Sequence, residues 1–218
     1  TGTYDQDQLL DESLPITWRH INKLAGCGAL GDLGSHLLSI SQFIMGDITK
    51  VNAVATTVFP KRPKSAGSTE MVDVENEDIM TFMAEYANGA IGQIACSRVA
   101  TGRKNYLTYE IQGTKGSVRY DLERMGEVQV YFQSDNERDR GFRTVLLNPL
   151  MKGYSAFQPA GGISIAYNDM KILEVHALFD AITNGADYVT DFEFGYKIDR
   201  TVAAVIESSK THEWVDVK

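Results

Sequence analysis

The chain has 218 residues, a formal net charge of −8, and 43% hydrophobic and 23% charged residues. That is enough for one large domain or two small ones, with the composition of an ordinary globular protein. The acidic balance argues against nucleic acid, because no basic patch offsets it: Arg103-Lys104 is only a pair, and Arg138 and Arg140 flank Asp139.

Residues 1–25 are mixed and polar and read as a connecting arm. They lack the basic and apolar regions of a signal peptide, and the chain opens on Thr1 with no methionine, which hints at a fragment or a processed product. Residues 30–45 place Leu30, Leu33, Leu37, Ile40 and Ile44 at helical spacing, with Gly46 as the closing glycine. From Lys50 to Phe59 the pattern is β-branched, and 60–76 reads as a loop. Two strands, 78–87 and 90–99, are joined by Asn88-Gly89, the strongest short hairpin signal. Met80, Phe82, Ala84 and Tyr86 alternate onto one face. Further strands are expected near 105–112, 116–122, 127–133 and 142–147, then a loop-rich stretch over 148–168. One helix is expected at 169–184, with a stripe of Ile172, Val175, Phe179 and Ile182. Another is expected at 192–209, with Phe194, Ile198, Val202, Val205 and Ile206 inward and Asp191 as N-cap. A short strand, 214–217, closes the chain.

Helix, hairpin-linked strands, then two helices is an α+β order: a large, mostly antiparallel or mixed open sheet with helices on one face. The domain organisation expected is an arm over 1–25 and a single α+β domain over 26–218. The uncovered sheet face predicts a partner subunit. No stretch approaches about 18 apolar residues, so no membrane span is expected. Cys27 and Cys96 form neither a disulfide framework nor a metal spacing, which fits buried thiols in a reducing cytoplasm and no bound metal.

The run Gly26-Cys27-Gly28-Ala29-Leu30-Gly31 is a literal G-x-G-x-x-G. It fails both context tests for a dinucleotide site. Trp18 to Ala25 is no buried strand, and no acid lies about 20 residues on. No cofactor-binding residue is therefore expected in this chain. Asp32 and His36 are more informative. At i and i+4 they share a helix face, and a histidine oriented by a carboxylate is a general acid/base unit near neutral pH. An exposed pair of no function, or an Asp32 that only caps, gives the same spacing. His176 reads as packing or surface, and His20 and His212 as solvated.

Trp18-Arg19 followed by Gly26-Cys27-Gly28-Ala29-Leu30-Gly31-Asp32-Leu33-Gly34-Ser35-His36 resembles the C-terminal domain of the glucose–fructose oxidoreductase/inositol dehydrogenase (Gfo/Idh/MocA) family. Asn88-Gly89-Ala90-Ile91-Gly92, Ile111 to Ser117, and Phe179 to Val215 continue the likeness. It implies a dihydrodipicolinate-reductase-like C-terminal fold, an N-terminal Rossmann domain for NAD or NADP that is absent from this chain, and a homodimer or homotetramer formed through the open sheet. It also implies His36 as acid/base, Asp32 as its partner, and a sugar or polyol as substrate. The family's third catalytic group is a lysine in an E-K-P motif of the Rossmann domain. No E-K-P occurs here, and Lys115 offers no substitute.

Ser97 to Tyr106 and Leu122 to Met125 are similar to the branch of inositol- and levoglucosan-type sugar dehydrogenases. Its pocket segment Q-D-W stands here as Gln6-Asp7-Gln8, with the tryptophan replaced. Gln6, Gln8, Arg19 and Arg103 are the substrate-binding candidates. The function expected is the substrate-binding and catalytic part of an NAD(P)-dependent sugar or polyol dehydrogenase, inactive without its Rossmann half. The alternatives are a stand-alone sugar-binding or assembly module, and redox-neutral chemistry on sugars.

Overall fold

A computed structural model describes residues 1–151 and 153–218, and they separate into two compact units. The first comprises residues 1–107 and 193–218, and the second residues 108–192.

In the first unit the strand order is β1 (Gly2–Asp5), β6 (Ile91–Ser97), β5 (Ile79–Tyr86), β2 (Ile48–Thr56) and β11 (Val215–Asp216). Neighbours pair antiparallel except β1, which lies parallel to β6 with Tyr4 opposite Cys96. The β5–β6 hairpin turns at Asn88-Gly89, where Gly89 adopts a φ of +84°, left-handed backbone that glycine takes without a Cβ clash. Met80, Phe82, Ala84 and Tyr86 are all buried while their alternates are not, so one face of β5 is covered. Helix α2 (Ser35–Met45) and helix α4 (Phe192–Thr211) serve that covered side. Ser41 of α2 meets the Tyr86 hydroxyl. A Cβ at Gly34 would come within 3.3 Å of the Cys96 sulfur, so the start of the helix rests directly on β6.

Helix α4 is seated by hydroxyls as well as by Ile198 and Val205. Thr201 Oγ1 accepts from Gln42 Nε2 of α2 at 3.1 Å, and Ser208 Oγ accepts the Ala53 N–H of β2 at 2.9 Å. Both hydroxyl residues are fully buried, and each meets a polar group that would otherwise be stranded in the core. Phe194, Val202 and Ile206 are only half-buried.

The second unit is also α+β. Strands β7 (Tyr106–Gln112), β8 (Gly116–Asp121), β9 (Glu127–Phe132) and β10 (Arg143–Leu146) pair in sequence order as an antiparallel meander. Helix α3 (Tyr167–Asn184) follows. Its apolar stripe is there as the spacing predicts, but Ile172, Val175, Phe179 and Ile182 are 50–69% exposed.

Three expectations need correction. The arm is partly sheet, since Gly2–Asp5 is a strand, and Trp18–His20 and α1 (Asn22–Ala25) are helical turns. The loop at 60–76 contains a short hairpin, β3 (Lys61–Pro63) with β4 (Met71–Asp73), too brief to show period-two alternation. His20 is not solvated; it is 1% exposed. Its Nδ1 accepts the Thr17 N–H at 3.0 Å and closes a capping box around the turn that follows.

Two buried groups set the electrostatics of this unit. Arg98 Nε donates to Asp78 Oδ1 at 2.9 Å with both side chains out of solvent. Asp78 Oδ2 also accepts the Val58 N–H at 2.7 Å. Replacing Asp78 with Asn leaves the Arg98 charge unpaired, and is expected to cost about 3–5 kcal/mol in urea unfolding. Burial, with Arg98 and Arg62 nearby, pushes the pKa of His20 below its ordinary 6.5. The unfolded chain then takes up a proton near 6.5 that the folded chain still refuses. The stability this supplies is complete above that pH and is lost as pH falls towards the folded value. Urea midpoints from pH 7 down to 5 should fall less steeply for His20→Gln than for the unaltered chain.

Candidate active site

The glycine-rich run is an anion site whose anion belongs to the chain itself. The Gly28 N–H donates to the two Glu77 carboxylate oxygens at 3.0 and 2.9 Å, and the Leu30 N–H donates to Glu77 Oε1 at 2.9 Å. The Ala29 N–H donates to the Glu77 backbone carbonyl at 3.1 Å. A Cβ at residue 28 would fall 1.9 Å from that carbonyl oxygen, so the close approach requires glycine. Donors at a helix start attract phosphate as readily as carboxylate. Here Glu77 occupies them, and these residues do not fit a dinucleotide.

The helix begins as a π turn, Leu30–Gly34, with the Ser35 N–H reaching back to the Leu30 carbonyl. Ser35 Oγ donates to the Gly31 carbonyl at 2.8 Å and holds the widened turn. Asp32 lies within it, His36 just beyond, and both are exposed. Among the described residues no hydrogen bond or ion pair joins them. Spacing of i and i+4 puts the two on one side of the helix, but for two exposed side chains it does not by itself make a bond.

The imidazole of His36 instead meets the ring of Tyr4 edge-on, with centroids 5.8 Å apart and planes at 66°. Parallel pairing of β1 with β6 puts Tyr4 there. The Tyr4 hydroxyl donates to Asn105 Oδ1 at 2.5 Å. Gln6 Nε2 donates to Tyr4 Oη at 3.2 Å and to Asn105 Oδ1 at 3.3 Å. Gln6 is fixed by its backbone, donating to Ser97 O and accepting from the Ala100 N–H, both at 2.8 Å. Among the described residues its Oε1 is buried without a hydrogen-bond partner, a free acceptor beside the Tyr4 hydroxyl.

Charged groups flank this cluster. The Arg103 guanidinium lies 3.4 Å from the centroid of the Tyr106 ring, a cation–π stack. Burial pushes the Asp5 carboxyl up, and the Arg103 charge offsets part of that rise. Lys104 pairs with Asp7 at 2.5 Å and holds that carboxyl below its usual range.

Of the predicted site residues, Gln6 and His36 are joined through Tyr4, and Arg103 stands near Asp5. Asp32 shares the His36 helix. The other two do not join this group. Gln8 is exposed in the turn after β1. Arg19 lies over its neighbour Trp18 at 4.5 Å, and its carbonyl accepts from Asn76 Nδ2 at 2.9 Å. Sequence reasoning missed Tyr4, Asn105 and Glu77. Tyr4 and Gln6 are two residues apart, the period that puts strand side chains on one face, but four residues are too few to stand out in a polar arm. Asn105 and Glu77 meet their partners only through the fold.

The thiols are passive. Burial pushes Cys27 up to about 11 and Cys96 higher still, which disfavours the nucleophilic thiolate. Among the described residues no group of three or more His, Cys, Asp or Glu side chains could hold a metal ion, and no helix is long and apolar enough to cross a membrane.

Comparison with known proteins adds the following. The model of the GFO/IDH/MocA C-terminal domain matches residues 1–119. Levoglucosan dehydrogenase of Pseudarthrobacter phenanthrenivorans is 38% identical over 229 aligned positions, covering 99% of this chain and 58% of that enzyme. D-apiose dehydrogenase of Rhizobium rhizogenes is 30% identical over 102 positions, covering 44% of this chain and 26% of that enzyme. Among solved structures, levoglucosan dehydrogenase in complex with NADH and L-sorbose superposes with a TM-score of 0.94 over 100% of this chain and 57% of that one, at 38% identity. An NAD-binding oxidoreductase from Klebsiella pneumoniae gives 0.94 at 39% identity, over 100% of this chain and 58% of its own. The chain thus spans little more than half the length of these long-matching relatives. A family model over more than half the residues, and a relative at 38% identity along nearly all of them, place this chain in the GFO/IDH/MocA family, as its C-terminal domain.

Proposed function

We propose that the chain is the substrate-binding and catalytic domain of an NAD-dependent dehydrogenase acting on a sugar or polyol hydroxyl. The observation that carries this reading is the cluster of His36, Tyr4, Gln6 and Asn105, an exposed imidazole beside a buried polar network with one unused acceptor. Oxidation of a hydroxyl requires loss of its proton, and an imidazole is suited to take it near neutral pH. Asp32 lies on the same helical run, one turn ahead of the imidazole. Gln6 Oε1 is free to accept from a second substrate hydroxyl. The Tyr4–Gln6–Asn105 bonds fix these groups before substrate arrives, so little ordering is left to be done on binding. Arg103, stacked on Tyr106, gives the site a cationic edge.

The relatives support the substrate class. Levoglucosan dehydrogenase has been solved with NADH and with levoglucosan or L-sorbose, and the second curated relative is named for D-apiose. On this reading the nicotinamide is held by residues outside this chain, since Glu77 fills the glycine-rich run, and the chain alone shows no turnover. A cytoplasmic setting suits its two free thiols.

The open face of the first unit is assigned to a second copy of the chain. Val54, Met83 and Ile91 are 49–79% exposed there, on neighbouring strands. Substituting Met83 with Glu should lower the mass of the assembly in light scattering while leaving the fold intact.

In the full-length enzyme, His36→Ala is expected to lower kcat by about 10²- to 10⁴-fold with NAD affinity unchanged. Gln6→Ala should act mainly on KM for the sugar. Assays should follow NADH and the oxidised sugar together. Undiminished turnover in His36→Ala would remove the acid/base assignment, and a sugar product without NADH would point to redox-neutral chemistry.

A further inference from the structure

We infer that Glu77 is the positioning residue of this site, the side chain that sets where His36 stands relative to Tyr4. The inference rests on the acid/base reading of His36. Glu77 lies two residues ahead of β5, between Asn76 and Asp78, both fully buried. Asn76 is held by Asn22 Nδ2 at 3.1 Å and donates to the Arg19 carbonyl, and Asp78 is held by Arg98. The backbone at residue 77 is therefore fixed to the sheet. Its carboxylate takes three N–H bonds from Gly28 and Leu30, and its carbonyl takes a fourth from Ala29. Those donors are the first of the helical run that carries Asp32 and then His36.

Tyr4 is fixed to the same sheet through β6. The contact between the His36 and Tyr4 rings is thus set by two anchors on one sheet, and the helix side of it is Glu77. Gly28 is the matching half, because a Cβ there would displace the residue 77 backbone. A carboxamide at 77 keeps the shape but not the bonding. One of its two end atoms becomes a donor facing the Gly28 N–H, so the start of the helix must shift. Backbone displacement of about 1 Å at a catalytic group is enough to cost about a hundredfold in rate.

The test is a cycle of Glu77→Gln and His36→Asn in the full-length enzyme, with kcat and KM measured for the sugar and for NAD. Glu77→Gln is expected to lower kcat about tenfold or more while moving each KM less than about threefold. In the His36→Asn background the same change should cost less than about twofold, because a residue that acts through His36 has nothing left to position. An unchanged kcat in Glu77→Gln overturns the inference. So does an equal loss in both backgrounds, which would make Glu77 a general stabiliser of the fold. An undiminished kcat in His36→Asn alone overturns the acid/base reading instead, so the two failures are distinct. Should Glu77→Gln fail to fold, Glu77→Asp carries the same cycle, since it keeps the charge and withdraws the carboxylate by one carbon.

Discussion

Four consecutive polar residues, Glu75-Asn76-Glu77-Asp78, organise the first unit. Between them they hold α1, the turn before it, the glycine-rich helix start and the neighbouring strands. Glu75 Oε2 accepts the Asn22 N–H at the start of α1. Asn76 bridges Asn22 and the Arg19 carbonyl. Glu77 binds the glycine-rich helix start, and Asp78 pairs with Arg98 while accepting from Val58. The four lie in the bent segment between β4 and β5, where successive side chains reach different neighbours. A hydrophobic patch could hold these elements together, but it would not fix their register. Directional bonds do, and at the buried Asn76 and Asp78 a polar group left unmatched would cost about 1–3 kcal/mol.

This is also where the sequence was hardest to read. The features decided by short-range chemistry were legible: the Asn88-Gly89 turn, the alternation of Met80 to Tyr86, the closing Gly46, and the Leu30, Leu33 and Leu37 stripe, all buried. The helical stripe predicts less well at its far end, where Ile44 is 45% exposed while Leu38, off the stripe, is fully buried. A π turn at the start changes the phase, and a period of 3.6 counted through it drifts. Polar core residues gave no signal at all. Thr201 and Ser208 look like surface positions until the Gln42 amide and the Ala53 N–H that need them are in place. The tight triad of Tyr4, Gln6 and Asn105 spans about a hundred residues of sequence, and neither period nor spacing can show such a meeting.

The Asp32/His36 spacing pointed to the helix but not to the contact that His36 makes. It identified the helix that carries the exposed imidazole. It also led to an expected carboxylate–imidazole contact, whereas the ring rests on Tyr4. An aromatic ring packed at an angle orients an imidazole without adding a charge beside it. The contact that the fold builds for the His36 ring is Tyr4, and its place depends on what fixes the start of the helix.

The glycine-rich run sharpens that point. A cluster of backbone N–H groups at a helix start is a fixed positive potential, and it does not distinguish a bound phosphate from a tethered carboxylate. A mobile ligand must overcome its lost translational freedom on every encounter. A carboxylate on the neighbouring strand loses that freedom once, when the chain folds. The nest therefore stays filled, and what it supplies is position rather than binding. The same backbone that would make a cofactor site in one chain makes a rigid mount in this one. The difference lies in Glu77, almost fifty residues away along the sequence and 2.9 Å from the Leu30 N–H in space.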